Sequence, residues 1–175
     1  ALPPSAFGLT PRDISEREKL GLHGRRGAAT LRVGGFAMTH TSFTAEGFAA
    51  FRANDRPGPI HMLNLVRLRE KATYEDGREA SGAEAYAAYG RESAPVFARL
   101  GGRIVWRGSF EQVLIGPGEE RWDLCFIAEY PSPEAFVAMI KDPEYRRAML
   151  HRQAGVEDSR LIRTGPLALG GNFGE

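Results

Sequence analysis

The run from Trp122 to Tyr130 constrains this chain more than any other segment. Along it Leu124, Phe126 and Ala128 alternate with Cys125, Ile127 and Glu129, so a strand built from it is largely apolar on both faces. Such a strand needs cover on two sides. Helices can supply one side, and a second copy of the same sheet packed face to face is the commonest supply of the other. The run therefore predicts a layered fold that pairs with itself as a homodimer.

The neighbouring segments supply the helices. Thr44 is placed to cap a short amphipathic helix over 45–53, with Phe48 and Phe51 on one face, before the break at Pro57-Gly58-Pro59. Ile60 to Leu68 is aliphatic and predicts a strand. Ser81 and Glu84 form a capping box opening a long helix whose inner stripe is Tyr86, Tyr89, Ser93, Phe97 and Leu100, with a kink at Pro95 and a stop at Gly101-Gly102. Residues 103–115 read as a strand bent at Gly108-Ser109, and the turn Gly116-Pro117-Gly118 joins it as a hairpin to Trp122–Tyr130. Ser132-Pro133 and Asp142-Pro143 each start a helical piece, and Ser159 to Arg163 makes a last short strand. Leaving out the first helix, the order is βαββαβ. This is the α+β, ferredoxin-like plan: an antiparallel sheet with its helices on one face, here doubled by two such sheets packing face to face. Residues 1–40, with Pro3, Pro4, Pro11 and the pair Arg25-Arg26 but no apolar stripe, read as an irregular N-terminal arm, and 41–175 as the folded domain.

Composition narrows the function. With 175 residues, 23 Lys+Arg against 22 Asp+Glu and a net charge of +1, the chain lacks the basic surplus that nucleic acid would require. The single cysteine rules out an internal disulfide and a thiolate zinc site, and suggests a reducing compartment. No run approaches the length of a membrane helix, and no secretory signal pattern opens the sequence, so the expected location is cytoplasmic with no membrane partner. Four scattered histidines show no metal-ligand spacing. No phosphate-binding glycine motif and no serine elbow occurs, and no cofactor is expected.

The candidate site residues come from polar groups placed on strands and helix ends. In the first strand Leu63 and Leu65 are assigned to the helix side, which sends Met62, Asn64 and Val66 into the space between the two sheets of the dimer. An amide there must find a partner: a ligand, which makes Asn64 the ligand-orienting candidate, or else a neighbouring backbone group or Glu129. Glu129 is expected to share that inner surface and to serve as an acid or base, the alternative being an ion pair with Arg103 or Arg107. His151 can exchange a proton and Arg152 can clamp a carboxylate, although a helix C-terminus favours both regardless of function. Tyr86, Tyr89, Trp106 and Trp122 are candidates to wall a flat ligand, with core packing as the other explanation.

Taken together, Met62-Leu63-Asn64-Leu65, Tyr74-Glu75-Asp76-Gly77-Arg78, Tyr86 with Tyr89, Gly101-Gly102-Arg103, Trp122-Asp123, Tyr130-Pro131-Ser132, Pro143-Glu144-Tyr145 and His151-Arg152-Gln153-Ala154 resemble a bacterial family, domain of unknown function thirteen-thirty, over about residues 44–166. The resemblance implies the dimeric α/β-barrel superfamily. That superfamily includes cofactor-free quinol-forming monooxygenases, haem-degrading enzymes, small isomerases and decarboxylases, and non-catalytic binders, so the fold leaves the function open. In the monooxygenase branch an asparagine on the first strand faces the substrate, and Asn64 is similar in placement; that branch's tryptophan and histidine arrangement has no residue-by-residue match here. The expectation is a homodimer binding a small aromatic or carboxylate metabolite, with cofactor-independent monooxygenase or isomerase chemistry by His151 or Glu129. The alternative is a non-catalytic binding or interaction module.

Overall fold

The computed structural model describes residues 40–172, so the arm expected over 1–40 falls outside the described residues except at His40. Thr44 accepts from the Gly47 amide and opens helix α1 (Ala45–Ala53). Phe51 of α1 reaches Phe136 at a ring separation of 5.0 Å. Strand β1 spans Ile60–Leu68. Helix α2 (Gly82–Arg99) starts on the complete capping box: the Glu84 amide donates to Ser81 Oγ at 3.1 Å and the Ser81 amide to Glu84 Oε2 at 2.8 Å. Pro95 lies inside α2 without ending it. The helix stops where Gly101 takes φ +76°, a conformation that a side chain disfavours.

Strands β2 (Arg103–Gly108) and β3 (Leu124–Tyr130) follow, then helices α3 (Pro133–Lys141) and α4 (Pro143–Gly155) and strand β4 (Val156–Thr164). Asp142 separates the two helices. It ends α3 and caps α4 by accepting from the Glu144 and Tyr145 amides, while Arg99 from α2 pairs with its carboxylate. The four strands lie in the order β2-β3-β1-β4, and every pair is antiparallel. With α2 crossing between β1 and β2 and the α3–α4 pair between β3 and β4, this is the ferredoxin-like fold.

The helix layer covers one face of the sheet. Ile60, Met62 and Val66 of β1 are buried with Leu124, Phe126, Ala128 and Tyr130 of β3 against Tyr86, Val96 and Phe97 of α2. Glycines let α2 and α4 close on each other and on the loop after β1. A Cβ on Gly82 would come within 2.2 Å of the Arg69 carbonyl, and one on Gly155 within 2.8 Å of the Gly82 carbonyl.

The structure reverses the expected facing of β1. Leu63 lies opposite Ile127, and Asn64 opposite Phe126, so it is Leu63 and Leu65 that share the open face with Cys125 and Ile127. Asn64 goes with Met62 and Val66 to the helix side. The reason is that β1 is apolar on both faces, and an alternating pattern without a polar face carries no phase. Three strand limits also differ. β2 ends at Gly108, with no strand over 109–123, so β2 and β3 pair without a tight turn; β3 starts at Leu124; β4 runs from Val156 to Thr164. The irregularity of β2 falls between Ile104 and Trp106 instead of at Gly108-Ser109.

Candidate functional site

Between the helix face of the sheet, α4 and the segment before α1 lies a cavity of about 690 Å³. The sheet contributes Met62 and Asn64 from β1, Phe126, Ala128 and Tyr130 from β3, and Leu161 from β4. Helix α4 presents Tyr145, Met149 and Arg152 at steps of four and three, one stripe of a helix. His40 to Thr44 form a strap along the edge of β4 and close the remaining side.

Hydrogen bonds tie that strap down. The Ser159 amide and hydroxyl both donate to the His40 carbonyl, at 2.9 and 2.8 Å, and the His40 amide donates to Asp158 Oδ1 at 2.8 Å. Arg152 joins helix, strand and strap: Nη1 donates to the Thr41 carbonyl at 2.8 Å and Nη2 to Ser159 Oγ at 3.0 Å. Burial pushes the Asp158 carboxyl upward, but the His40 amide, Arg160 and the Ser159 amide outweigh it and hold the group below its usual range.

Asn64 and the Arg152–Ser159 pair belong to one site. Asn64 lies opposite Leu161, and Val66 opposite Ser159, so Ser159 is the diagonal neighbour of Asn64 on the same face. Asn64 Nδ2 donates to the Met62 carbonyl at 2.8 Å, and its Oδ1 has no partner among the described residues. Deeper in the cavity the Tyr89 and Tyr145 hydroxyls are 3.1 Å apart. Burial pushes both phenols above their usual range, so they remain neutral O–H groups at neutral pH.

Of the eight residues singled out from the sequence, the structure brings Asn64, Tyr89 and Arg152 together in this cavity and places the others elsewhere. Tyr86 is buried one layer behind the wall, its ring 5.3 Å from that of Tyr89. Trp106 pairs across from Ile127 on the open face of the sheet and is 50% exposed. Glu129 is on that same open face, opposite His61, and not beside Asn64. It accepts from Arg103 Nε at 2.6 Å and from His61 Nε2 at 2.8 Å, and these bonds, the arginine first, lower its pKa. The ion-pair alternative therefore describes Glu129. His151 points away from the cavity toward α2, where Nε2 meets Glu92 at 3.1 Å and Nδ1 meets the Tyr74 hydroxyl at 2.7 Å. Although adjacent on α4, His151 and Arg152 thus take different partners, His151 on Glu92 and Tyr74 and Arg152 on Thr41 and Ser159.

Tyr89, a wall candidate from the sequence, lines the cavity, whereas sequence reasoning passed over Tyr145, Ser159 and the strap 40–44. Tyr145 carried only a helix-stripe pattern, and nothing local connects Ser159 to a segment 119 residues earlier. Among the described residues no helix is long and apolar enough to cross a membrane, and no group of three or more His, Cys, Asp or Glu is placed to hold a metal ion.

Comparison with known proteins sets this geometry in a family. Two crystal structures of the RPA0582 protein, a protein of unknown function from Rhodopseudomonas palustris, are similar to the chain. The methylated form is 68% identical with a TM-score of 0.74, covering 75% of this chain and 98% of its own. The second structure is 67% identical with a TM-score of 0.73, covering 75% of this chain and 100% of its own. A dabb family protein with a ferredoxin-like fold from Mesorhizobium loti is 17% identical over 63% of this chain and 99% of its own; its TM-score of 0.37 is too low to support an argument. No curated protein matches. The family model for a domain of unknown function, DUF1330, matches residues 78–165, from the loop before α2 to the end of β4, and the chain belongs to that family.

Proposed function

We propose that this protein is a homodimer in which two sheets pack by their open faces, and that each subunit holds a small organic metabolite, aromatic or carboxylate-bearing, in its own sheet–helix cavity. The observation that carries the reading is the cavity itself. Its volume of about 690 Å³ suits a small-molecule site, and aromatic and methionine side chains surround the polar groups of Asn64 and Arg152. The dimer is supported by the open face, where Leu63, Leu65, Trp106, Ile127 and Ile162 form an apolar surface with no helix of the described residues over it. Cytoplasmic residence is part of the reading, and a single cysteine, which cannot form an internal disulfide, supports it.

Non-catalytic binding is the reading the geometry supports best. Monooxygenase or isomerase chemistry needs a group that moves a proton at the ligand, and the partners of His151 and Glu129 hold both away from the cavity. An enzyme remains the second reading because His40 lies on the cavity wall, the one histidine there among the described residues.

Native mass spectrometry, combined with a turnover screen against quinols and small lactones, tests both readings. A retained small molecule without turnover supports the binder. Turnover that His40→Ala abolishes moves the protein to the enzymes. A bare protein mass with no turnover contradicts the proposal.

A further inference from the structure

The charge in this cavity is one-sided. Among the described residues its walls carry Arg146, Arg152 and Arg160 and no aspartate or glutamate. Two of these cations are accounted for. Arg160 pairs with Asp158 at 2.8 Å. Arg146 is exposed to water and donates to the Ile140 carbonyl at 3.3 Å.

Arg152 differs from both. It is half-buried, its two bonds go to the neutral Thr41 carbonyl and Ser159 hydroxyl, and no carboxylate among the described residues lies within 4.0 Å of it. The remaining N–H donors of its guanidinium have no partner among the described residues. The nearby phenols Tyr89 and Tyr145 are neutral and offer no counter-charge. A cation withdrawn from water without an anion is costly, and a carboxylate held by the planar fork offsets that cost better than any neutral acceptor.

Away from Arg152 the wall becomes apolar. Phe97, Phe126, Phe136 and Met139, all buried, line it, and the Tyr130 hydroxyl is already committed to Met139 Sδ at 3.2 Å. A ligand filling both regions has an anionic head and an apolar body. We propose that the cavity selects an amphipathic carboxylate, its head on Arg152 and its aromatic ring or short hydrocarbon chain against these side chains. The inference rests on the reading of the cavity as a ligand site and goes further by specifying the head group.

Matched acid and amide probes separate the two ideas. Binding of 3-phenylpropionate and 3-phenylpropanamide, and of octanoate and octanamide, is followed by calorimetry and by the shift in melting temperature. The expected result is that each acid binds at least about tenfold more tightly than its amide. Arg152→Gln should bring acid and amide to parity, while Arg152→Lys keeps part of the preference. Amide binding by the Gln variant would show that its cavity is still formed. Equal binding of acid and amide by the unaltered protein would overturn the carboxylate assignment and leave the ligand site standing. No binding of any probe would overturn both.

Discussion

Arg152 and Ser159 join the end of α4 to the edge of the sheet: the guanidinium donates to the serine hydroxyl at 3.0 Å, and that hydroxyl donates onward to the His40 carbonyl at 2.8 Å. One hydroxyl thus couples the cavity's unneutralised cation to the strap that closes it. A ligand that draws on Arg152 acts on the same network that positions residues 40–44.

Acid should loosen the strap. The folded-state pKa of Asp158 is depressed: burial opposes this, but the His40 amide, Arg160 and the Ser159 amide prevail. A depressed carboxylate contributes stability that is fully present above its unfolded value of about 3.9 and is lost as pH falls through the lower folded value. Hydrogen exchange at the His40 amide should therefore speed up as pH falls below about 4, beyond its intrinsic pH dependence. Asp158→Asn should remove this part of the acid response. An equally steep response in the variant would assign it to another group.

Asn64→Leu separates a ligand-facing amide from a structural one. The amide makes a single bond, to the Met62 carbonyl two residues away, and its Oδ1 has no partner among the described residues. The substitution should change stability in urea unfolding by less than about 1 kcal/mol while weakening ligand binding. A loss of 2 to 3 kcal/mol or so with binding intact would make the amide structural.

Gly82→Ala should be among the most damaging small changes. Its Cβ would lie 2.2 Å from the Arg69 carbonyl and 2.8 Å from the Gly155 carbonyl, both backbone atoms that cannot swing aside. Overpacking of this kind costs about 3 kcal/mol or more, visible as a lower urea midpoint. A midpoint within experimental error of the unaltered protein would contradict the close approach of α2 and α4.

What could be read in the sequence was local. Thr44, Ser81 with Glu84, Ser132 and Asp142 each cap the helix that follows them, because a cap is decided within three or four residues. The order of elements followed from those caps and led to the ferredoxin-like plan. Facing was harder to read. Leu63 and Asn64 both stand in apolar company, so nothing along β1 said which side the helices cover, and one wrong phase put Asn64 and Glu129 on a shared surface that does not exist. In β2 the irregularity between Ile104 and Trp106 shifts the phase again. His151 found its partners in Tyr74 and Glu92, residues 77 and 59 positions away, and no local pattern announces such pairings. The one-sided charge of the cavity likewise exists only after α4 and the strap have come together.

Ile127→Asp tests the dimer. Ile127 lies on the open face between Leu63 and Trp106. A carboxylate buried there without a partner costs several kcal/mol, so the variant should sediment as a monomer or aggregate while the parent sediments as a dimer. An unchanged dimer in analytical ultracentrifugation would show that this face is not the interface.

The most direct test of the ligand site is the electron density of crystals soaked with 3-phenylpropionate. The account predicts density in the cavity, with the carboxylate in hydrogen-bonding range of Arg152 and the ring against Phe97 and Phe136. A cavity holding only water at saturating probe, or a probe bound with its carboxylate turned away from Arg152, would contradict it.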